Sequence, residues 1–337
     1  MDFAKLKKSL SPYPAFRLKQ VNFAIFKNLV ESWDEVTNLP KDILALLKAE
    51  ISLEICAKIQ KSTDQKTIKA AVTLADGQII ETVLMRHGNG RNTVCVSSQA
   101  GCPLACEFCA TGKLGFKRIL TSFEIISQVL LFSRLLKTES ERVDSIVFMG
   151  MGEPFLNYDE VLKAIRILND NDKFGIGARH ISISTAGIVE GIKKFSQENL
   201  QVNLALSLHA PNDQLRSRLM PINQQYPIKK VLTALADYIK ISNRRVMIEY
   251  LMLKDVNDSP SQATELAILL KRQLKRLFFV NLITYNETGC FEPSKPETIK
   301  KFKSILEKEG ITVIQRYRFG ADIDGACGQL AAKLKNN

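Results

Sequence analysis

The sequence predicts an α/β protein, and three observations carry that prediction. Six runs rich in β-branched residues, TVCVSS (93–98), SIVFMG (145–150), HISIST (180–185), VNLALSL (202–208), RVMIEYLML (245–253) and FFVNLIT (278–284), are each followed by an amphipathic stretch. A seventh run, ITVIQRYR (311–318), comes last. Strand–helix alternation of this kind reads as parallel βα units, in an open sheet or a barrel. The third observation is where unusual residues fall. They follow the strand ends, where a parallel βα barrel gathers its reactive groups.

Ahead of this core, apolar Phe16, Val21, Phe23, Ile25, Phe26 and Leu29 recur near helical spacing, and a second apolar set runs from Ile43 to Ile51 beyond Pro40. Residues 1–52 are therefore expected to form a small helical domain. From Leu53 to Leu84 the period changes to two, in LEICAKIQ, TIKAAVTL and QIIETVLM, with a turn at Ala75-Asp76-Gly77. This reads as a short antiparallel β meander over 53–90. The turn-forming HGNGRN at 87–92 marks the boundary to a core spanning 91–337.

Composition narrows the class of protein. At 337 residues and 45% hydrophobic the chain can bury a full core. No run approaches the roughly 18 apolar residues of a membrane span, and the start lacks a signal-peptide pattern, so a cytoplasmic protein is expected. A net charge of +12 and a pI near 9.3 favour a polyanionic partner such as nucleic acid. Basic residues recur beside the candidate site at Lys113, Lys117, Arg118, Arg216 and Arg218, and far from it at Lys271, Arg272, Lys275 and Arg276. No exposed apolar stripe demands a dimer, so a monomer is expected.

Cys102, Cys106 and Cys109 form a C-x₃-C-x₂-C run. Three thiolates can hold one metal centre, but they are one short of the four that close a cubane cluster. A structural zinc site would want a fourth Cys or His at a matching interval, and none of the three histidines, His87, His180 and His209, provides it. A disulfide framework suits neither the size of the chain nor its seven cysteines. A three-ligand iron–sulfur cluster is the reading that remains ahead of zinc. Its vacant iron site can take the amino and carboxylate groups of an amino acid, which S-adenosylmethionine (SAM) offers.

After the second strand comes Gly150-Met151-Gly152-Glu153-Pro154, a flexible backbone followed by a carboxylate, which by itself is also an ordinary tight turn. The segments LKQ…AIF, CVSSQAGC, FMGMGEP, SLHAPN, LMPIN, VND, VNLI and ACGQL together closely resemble the RlmN/Cfr family of radical-SAM RNA adenine methyltransferases, in the family's order and over nearly the whole chain. Thr284 and Glu287 depart from it, standing where prolines are common.

The resemblance implies a radical-SAM partial (β/α)6 barrel and a two-stage methyl transfer. One [4Fe-4S] cluster would sit on Cys102, Cys106 and Cys109. SAM would be held by Gly152, Glu153, Ser184, Ser207, Leu208, His209 and Asn286, and used twice per turnover. Cys327 would carry a methyl group, Cys95 would release the product by disulfide formation, and Glu81 would accept a proton from the adenine ring. The implied partners are rRNA, an anticodon-loop adenine of tRNA, and an electron-donating reductase or flavodoxin. Pro154 favours the branch that methylates carbon 2 in 23S rRNA over the Cfr branch that methylates carbon 8. A radical-SAM enzyme acting on a small molecule or peptide would need neither the +12 charge nor the Cys95/Cys327 pair.

Overall fold

The computed structural model describes residues 3–331. Three helices, α1 (Phe3–Leu10), α2 (Phe16–Phe26) and α3 (Lys41–Glu50), open the chain. Pro40 caps α3 with an extended backbone, which explains the break between the two apolar sets. Val21, Ala24, Ile25 and Phe26 face inward, whereas Phe16 and Phe23 are about half exposed, so the apolar positions of α2 do not all serve the core. Trp33 is buried and donates its indole N–H to the Ile51 carbonyl at 2.6 Å.

Strands β1 (Ala57–Lys61), β2 (Thr67–Thr73) and β3 (Ile79–Arg86) form the expected antiparallel meander. The HGNGRN segment is a hairpin, because β3 pairs antiparallel with β4 (Asn92–Cys95). Residues 53–90 thus belong to the same sheet as the strands that follow.

Beyond β4 lie a small hairpin, β5 (Gln99–Gly101) and β6 (Phe116–Ile119), with the short α4 (Ala110–Lys113) between them. Then come α5 (Ser122–Lys137), β7 (Ser145–Phe148), α6 (Tyr158–Asn169), β8 (Ile181–Thr185), α7 (Val189–Ser196) and β9 (Asn203–Ser207). The chain continues through α8 (Asp213–Leu219), α9 (Ile228–Ser242), β10 (Val246–Met252), α10 (Pro260–Leu274), β11 (Phe278–Thr284), α11 (Pro296–Lys308) and β12 (Val313–Gln315). The ten-stranded sheet runs β1-β2-β3-β4-β7-β8-β9-β10-β11-β12, and every pairing from β4 onward is parallel. All seven runs anticipated from the sequence are strands of this parallel part; five of them lead into helices, whereas the first, β4, leads into the β5–β6 hairpin rather than an amphipathic helix.

Local chemistry fixes the helix starts. Thr121 with Glu124 and Ser259 with Gln262 form capping boxes at α5 and α10, and Pro260 and Pro296 occupy first-turn positions that need no N–H. The parallel strands are buried on both faces, as in Leu204-Ala205-Leu206 of β9, so they read as continuous apolar runs rather than alternating ones. Each fully buried Leu or Ile contributes about 1.5–3 kcal/mol. The helical unit is tied down by α5, where Arg134 donates to the Leu53 and Val30 carbonyls and Lys137 donates to that of Asn28. No helix among the described residues is long and apolar enough to cross a membrane.

Candidate active site

The C-terminal ends of the parallel strands enclose a cavity of about 150 Å³. Cys102, Cys106, Cys109, Gly152, Glu153, Ser184, Ser207, His209 and Cys327 all line it. A second hollow of about 50 Å³ is lined by Cys95 and again by Cys327. Met149, Ile283, Arg316 and Leu330 are also shared, so the two spaces meet at the Cys327 wall.

The cysteine loop is shaped by its backbone. Gly101 has φ +76°, and a Cβ there would come within 1.9 Å of the Gly115 carbonyl oxygen, so only glycine fits before Cys102. Cys102 N–H then bonds Gly115 O at 3.1 Å, and Cys109 N–H bonds Cys106 O at 3.1 Å. Cys102, Cys106 and Cys109 line the same cavity, which their side chains share with Glu153. As free thiols, Cys102 and Cys106 are held protonated: burial pushes Cys102 up to about 12 and Cys106 well above the ordinary thiol value. A positively charged centre that takes thiolates is the chemistry this donor set fits.

The Gly-Met-Gly-Glu-Pro segment is both a tight turn and a site wall. A Cβ on Gly150 would lie 2.7–2.8 Å from Ser97 Oγ and the Val96 backbone, and Gly152 has φ +99° against Gln99. Glu153 is 3% exposed and accepts N–H bonds from Phe155 at 3.0 Å and Ala186 at 2.7 Å. Burial outweighs those bonds and raises its carboxyl to about 7. A carboxylate so placed is suited to meet a cationic group in the cavity.

Ser184 and Ser207, on neighbouring strands β8 and β9, bring their hydroxyls to 3.3 Å. His209 has a left-handed backbone (φ 59°), stacks edge-on against Phe108 and accepts the Leu251 N–H on Nδ1 at 3.0 Å. Burial and Arg216 lower it to about 3, so it is a neutral imidazole with its remaining N–H available to donate. Leu208 and Asn286 stand behind the wall. Leu208 is fully buried and lines neither hollow, its N–H donating to Glu249 O at 3.1 Å and its carbonyl accepting from Arg216 at 3.2 Å, while Asn286 donates to Cys327 O at 3.1 Å and accepts from Arg318 at 2.7 Å. The segment carrying Cys327 is further bound to the cysteine loop by Ala110 N–H to Gly328 O at 2.8 Å and Thr111 Oγ1–H to Leu330 O at 2.6 Å.

Cys327 keeps accessible surface inside the hollow although protein surrounds it. Burial raises both thiols of the pair, Cys95 to about 12, while the Arg316 guanidinium pulls both down. Glu81 shares a face of β3 with Val83 and Met85, which line the Cys95 hollow. Its carboxylate is almost fully buried, pairs with Lys69 at 3.1 Å and accepts the Ala331 N–H at 2.7 Å.

Three site residues carry no signal in the sequence. Arg216, grouped there with surface bases, is 0% exposed and donates to the carbonyls of Ala186, Ser207, Leu208 and Tyr226 and to Asn223. It holds the loops after β8 and β9 together rather than meeting a partner. Arg118 is likewise committed, to Asp76 and Glu124. Glu249 and Arg316, hidden within strand-like runs, line the cavity from β10 and from the segment just after β12.

Residues 96–267 match the radical SAM superfamily. The chain is 44% identical, over 94% of its length and 87% of the relative's, to a probable dual-specificity RNA methyltransferase RlmN of Streptococcus agalactiae, and 45% identical to that of Streptococcus sanguinis over 94% and 88%. A crystal structure of a radical SAM methyltransferase from Sphaerobacter thermophilus superposes with a TM-score of 0.94 at 40% identity, covering 99% of this chain and 98% of that one. A radical SAM fold implies SAM and an iron–sulfur cluster as cofactors. The chain therefore belongs to the radical SAM superfamily and, within it, to the RlmN family of RNA methyltransferases.

Proposed function

We propose that this enzyme methylates carbon 2 of an adenine in the peptidyl transferase centre of 23S rRNA and of an anticodon-loop adenine of tRNA, through an S-methylcysteine on Cys327. The observation that carries the reading is that Cys327 lines both hollows, the one walled by three thiols and the one walled by Cys95.

Cys102, Cys106 and Cys109 would hold one [4Fe-4S] cluster, with Gly152, Glu153, Ser184, Ser207, Leu208, His209 and Asn286 around two successive SAM molecules. When bound, these groups supply a methyl cation equivalent and a 5′-deoxyadenosyl radical, which ordinary side chains cannot. The protein's residues do the rest. Cys327, eased toward its thiolate by Arg316, takes the methyl group on sulfur and presents it to the ring carbon. Glu81, on the strand beside the hollow, accepts the ring proton, and its contact with Lys69 at 3.1 Å holds the carboxylate in place. The Cys95 thiolate then attacks the Cys327 sulfur: the S–S bond forms as the bond from that sulfur to the carbon attached to the base breaks, the electron pair stays on the carbon, and uptake of a proton there completes the methyl group and frees the base.

The target adenine leaves its stack to enter the mouth, while the basic surface holds RNA backbone. The enzyme acts in the cytoplasm as a monomer, with an electron-donating reductase or flavodoxin. Nucleoside mass spectrometry of RNA incubated with the reconstituted enzyme tests this. 2-Methyladenosine is expected, and a product of 8-methyladenosine alone would refute the carbon-2 assignment.

A further inference from the structure

Glu249 and Arg316 are an acid and a base that face the same cavity without forming an ion pair with each other. Glu249 is 2% exposed. Its Oε2 accepts from Asn281 Nδ2 at 2.9 Å, but its Oε1 is buried with no hydrogen-bond partner. An unsatisfied buried carboxylate oxygen is costly and needs a donor when the site is filled. Arg316 contacts the Met149 sulfur at 3.1 Å through Nη1, which leaves most of its five N–H donors for another acceptor. Burial raises the Glu249 carboxyl against the pull of Arg316, as expected where two opposite charges are near but not joined.

What fits between a buried acceptor and a buried donor is a group offering both complements side by side. An adenine ring edge does so, with the exocyclic amino group as donor and ring nitrogen 1 as acceptor. We propose that Glu249 and Arg316 read this edge of an adenine, Glu249 taking the amino hydrogen and Arg316 donating to the ring nitrogen. The proposal rests on the reading of the chain as an adenine-modifying enzyme. Carbon 2 is bonded to nitrogen 1, so gripping that edge holds the reacting carbon on the side of the cavity that Arg316 shares with Cys327. The pair then acts as a specificity determinant: guanine, with an oxygen and a ring N–H at the same places, would meet like against like at both residues.

Two adenines visit such a site, the target base and that of SAM, and the test separates them. The full chain, reconstituted anaerobically, is given an RNA hairpin with one target adenosine, or the same hairpin with purine riboside, which lacks the amino group. Affinity for S-adenosylhomocysteine is measured in parallel. The unmodified chain is expected to favour adenosine by about 10- to 100-fold in kcat/KM, the size of one hydrogen bond to a charged group. Glu249→Leu should bring that preference near unity and Glu249→Gln, which keeps a carbonyl acceptor, should retain part of it. Loss of the adenosine preference in Glu249→Leu with unchanged S-adenosylhomocysteine affinity assigns the edge to the target base, a loss of S-adenosylhomocysteine affinity assigns it to SAM, and a Glu249→Leu variant that keeps both overturns the proposal. Equal use of both hairpins by the unmodified chain, together with unchanged S-adenosylhomocysteine affinity in Glu249→Leu, would overturn the proposal. If the adenosine hairpin yields no methylated product at all, the RNA reading itself fails. The S-adenosylhomocysteine measurement then decides the pair alone, and unchanged affinity there also overturns it.

Discussion

Glu153 gives the site a pH dependence that can be worked out in advance. Its folded carboxyl stands at about 7, raised from 4.5 because burial costs the charged form more than the Ala186 and Phe155 N–H bonds return. A cationic amino group binds the ionised form. Taking 7 as the midpoint, the ionised fraction is about 76% at pH 7.5 and about 3% at pH 5.5, while a free α-amino group stays mostly protonated throughout that range. Affinity for S-adenosylhomocysteine should therefore fall about 25-fold from pH 7.5 to 5.5. The assay is equilibrium dialysis on the anaerobically reconstituted protein. Glu153→Gln should bind more weakly and lose the slope. The sign for stability is the reverse of that for a salt-bridged acid. With the folded value raised, the unfolded chain releases this proton first, so the ligand-free protein loses stability as pH rises from about 4.5 to 7. An affinity that is flat between pH 5.5 and 7.5, or a Glu153→Gln variant that keeps the slope, would refute the assignment of Glu153 to the amino group.

Further outcomes follow from individual contacts. Cys327→Ala should give no methylated RNA, whereas Cys95→Ala should leave RNA covalently attached to the chain, visible as a protein–RNA species in denaturing gels; free product from Cys95→Ala would argue against its releasing role. Lys69→Met removes the cation beside the Glu81 carboxylate, which is 1% exposed, and chemical denaturation should show a loss of about 3–5 kcal/mol. Arg216→Met removes five hydrogen bonds, one to Ala186 after β8 and four to β9 and the connection that follows it; a loss of about 3 kcal/mol or more is expected, and Arg216→Lys should restore little because an ammonium cannot span those acceptors.

The sequence displays what repeats or clusters. The parallel strands were legible because Val, Ile and Leu accumulate where both faces are covered, and the three thiols because they lie within eight residues. Cys95 and Cys327 were connected only through the resemblance, since nothing local in TVCVSS or GACGQL says that 232 positions of chain return to one hollow. The misreadings share a cause. Arg216 follows Asn212 and Asp213 in a polar stretch that looks exposed, yet that stretch folds over the strand ends and buries the guanidinium against carbonyls. Phe16 and Phe23 fit a helical period, but the core meets only part of the α2 surface. Glu249 stands out in no sequence pattern at all, because within an apolar strand only the neighbouring strands show that its carboxylate faces the cavity.

The bonds from Ala110 and Thr111 to the segment around Cys327 also bear on how the protein is made. Thr111 and Leu330 are 219 residues apart, so at about 5–20 residues per second the ribosome takes roughly 10–45 s to deliver the second after the first. For that interval the cysteine loop exists without the strap that later closes over it. The nascent chain thus exposes the three thiols more openly than the finished protein does.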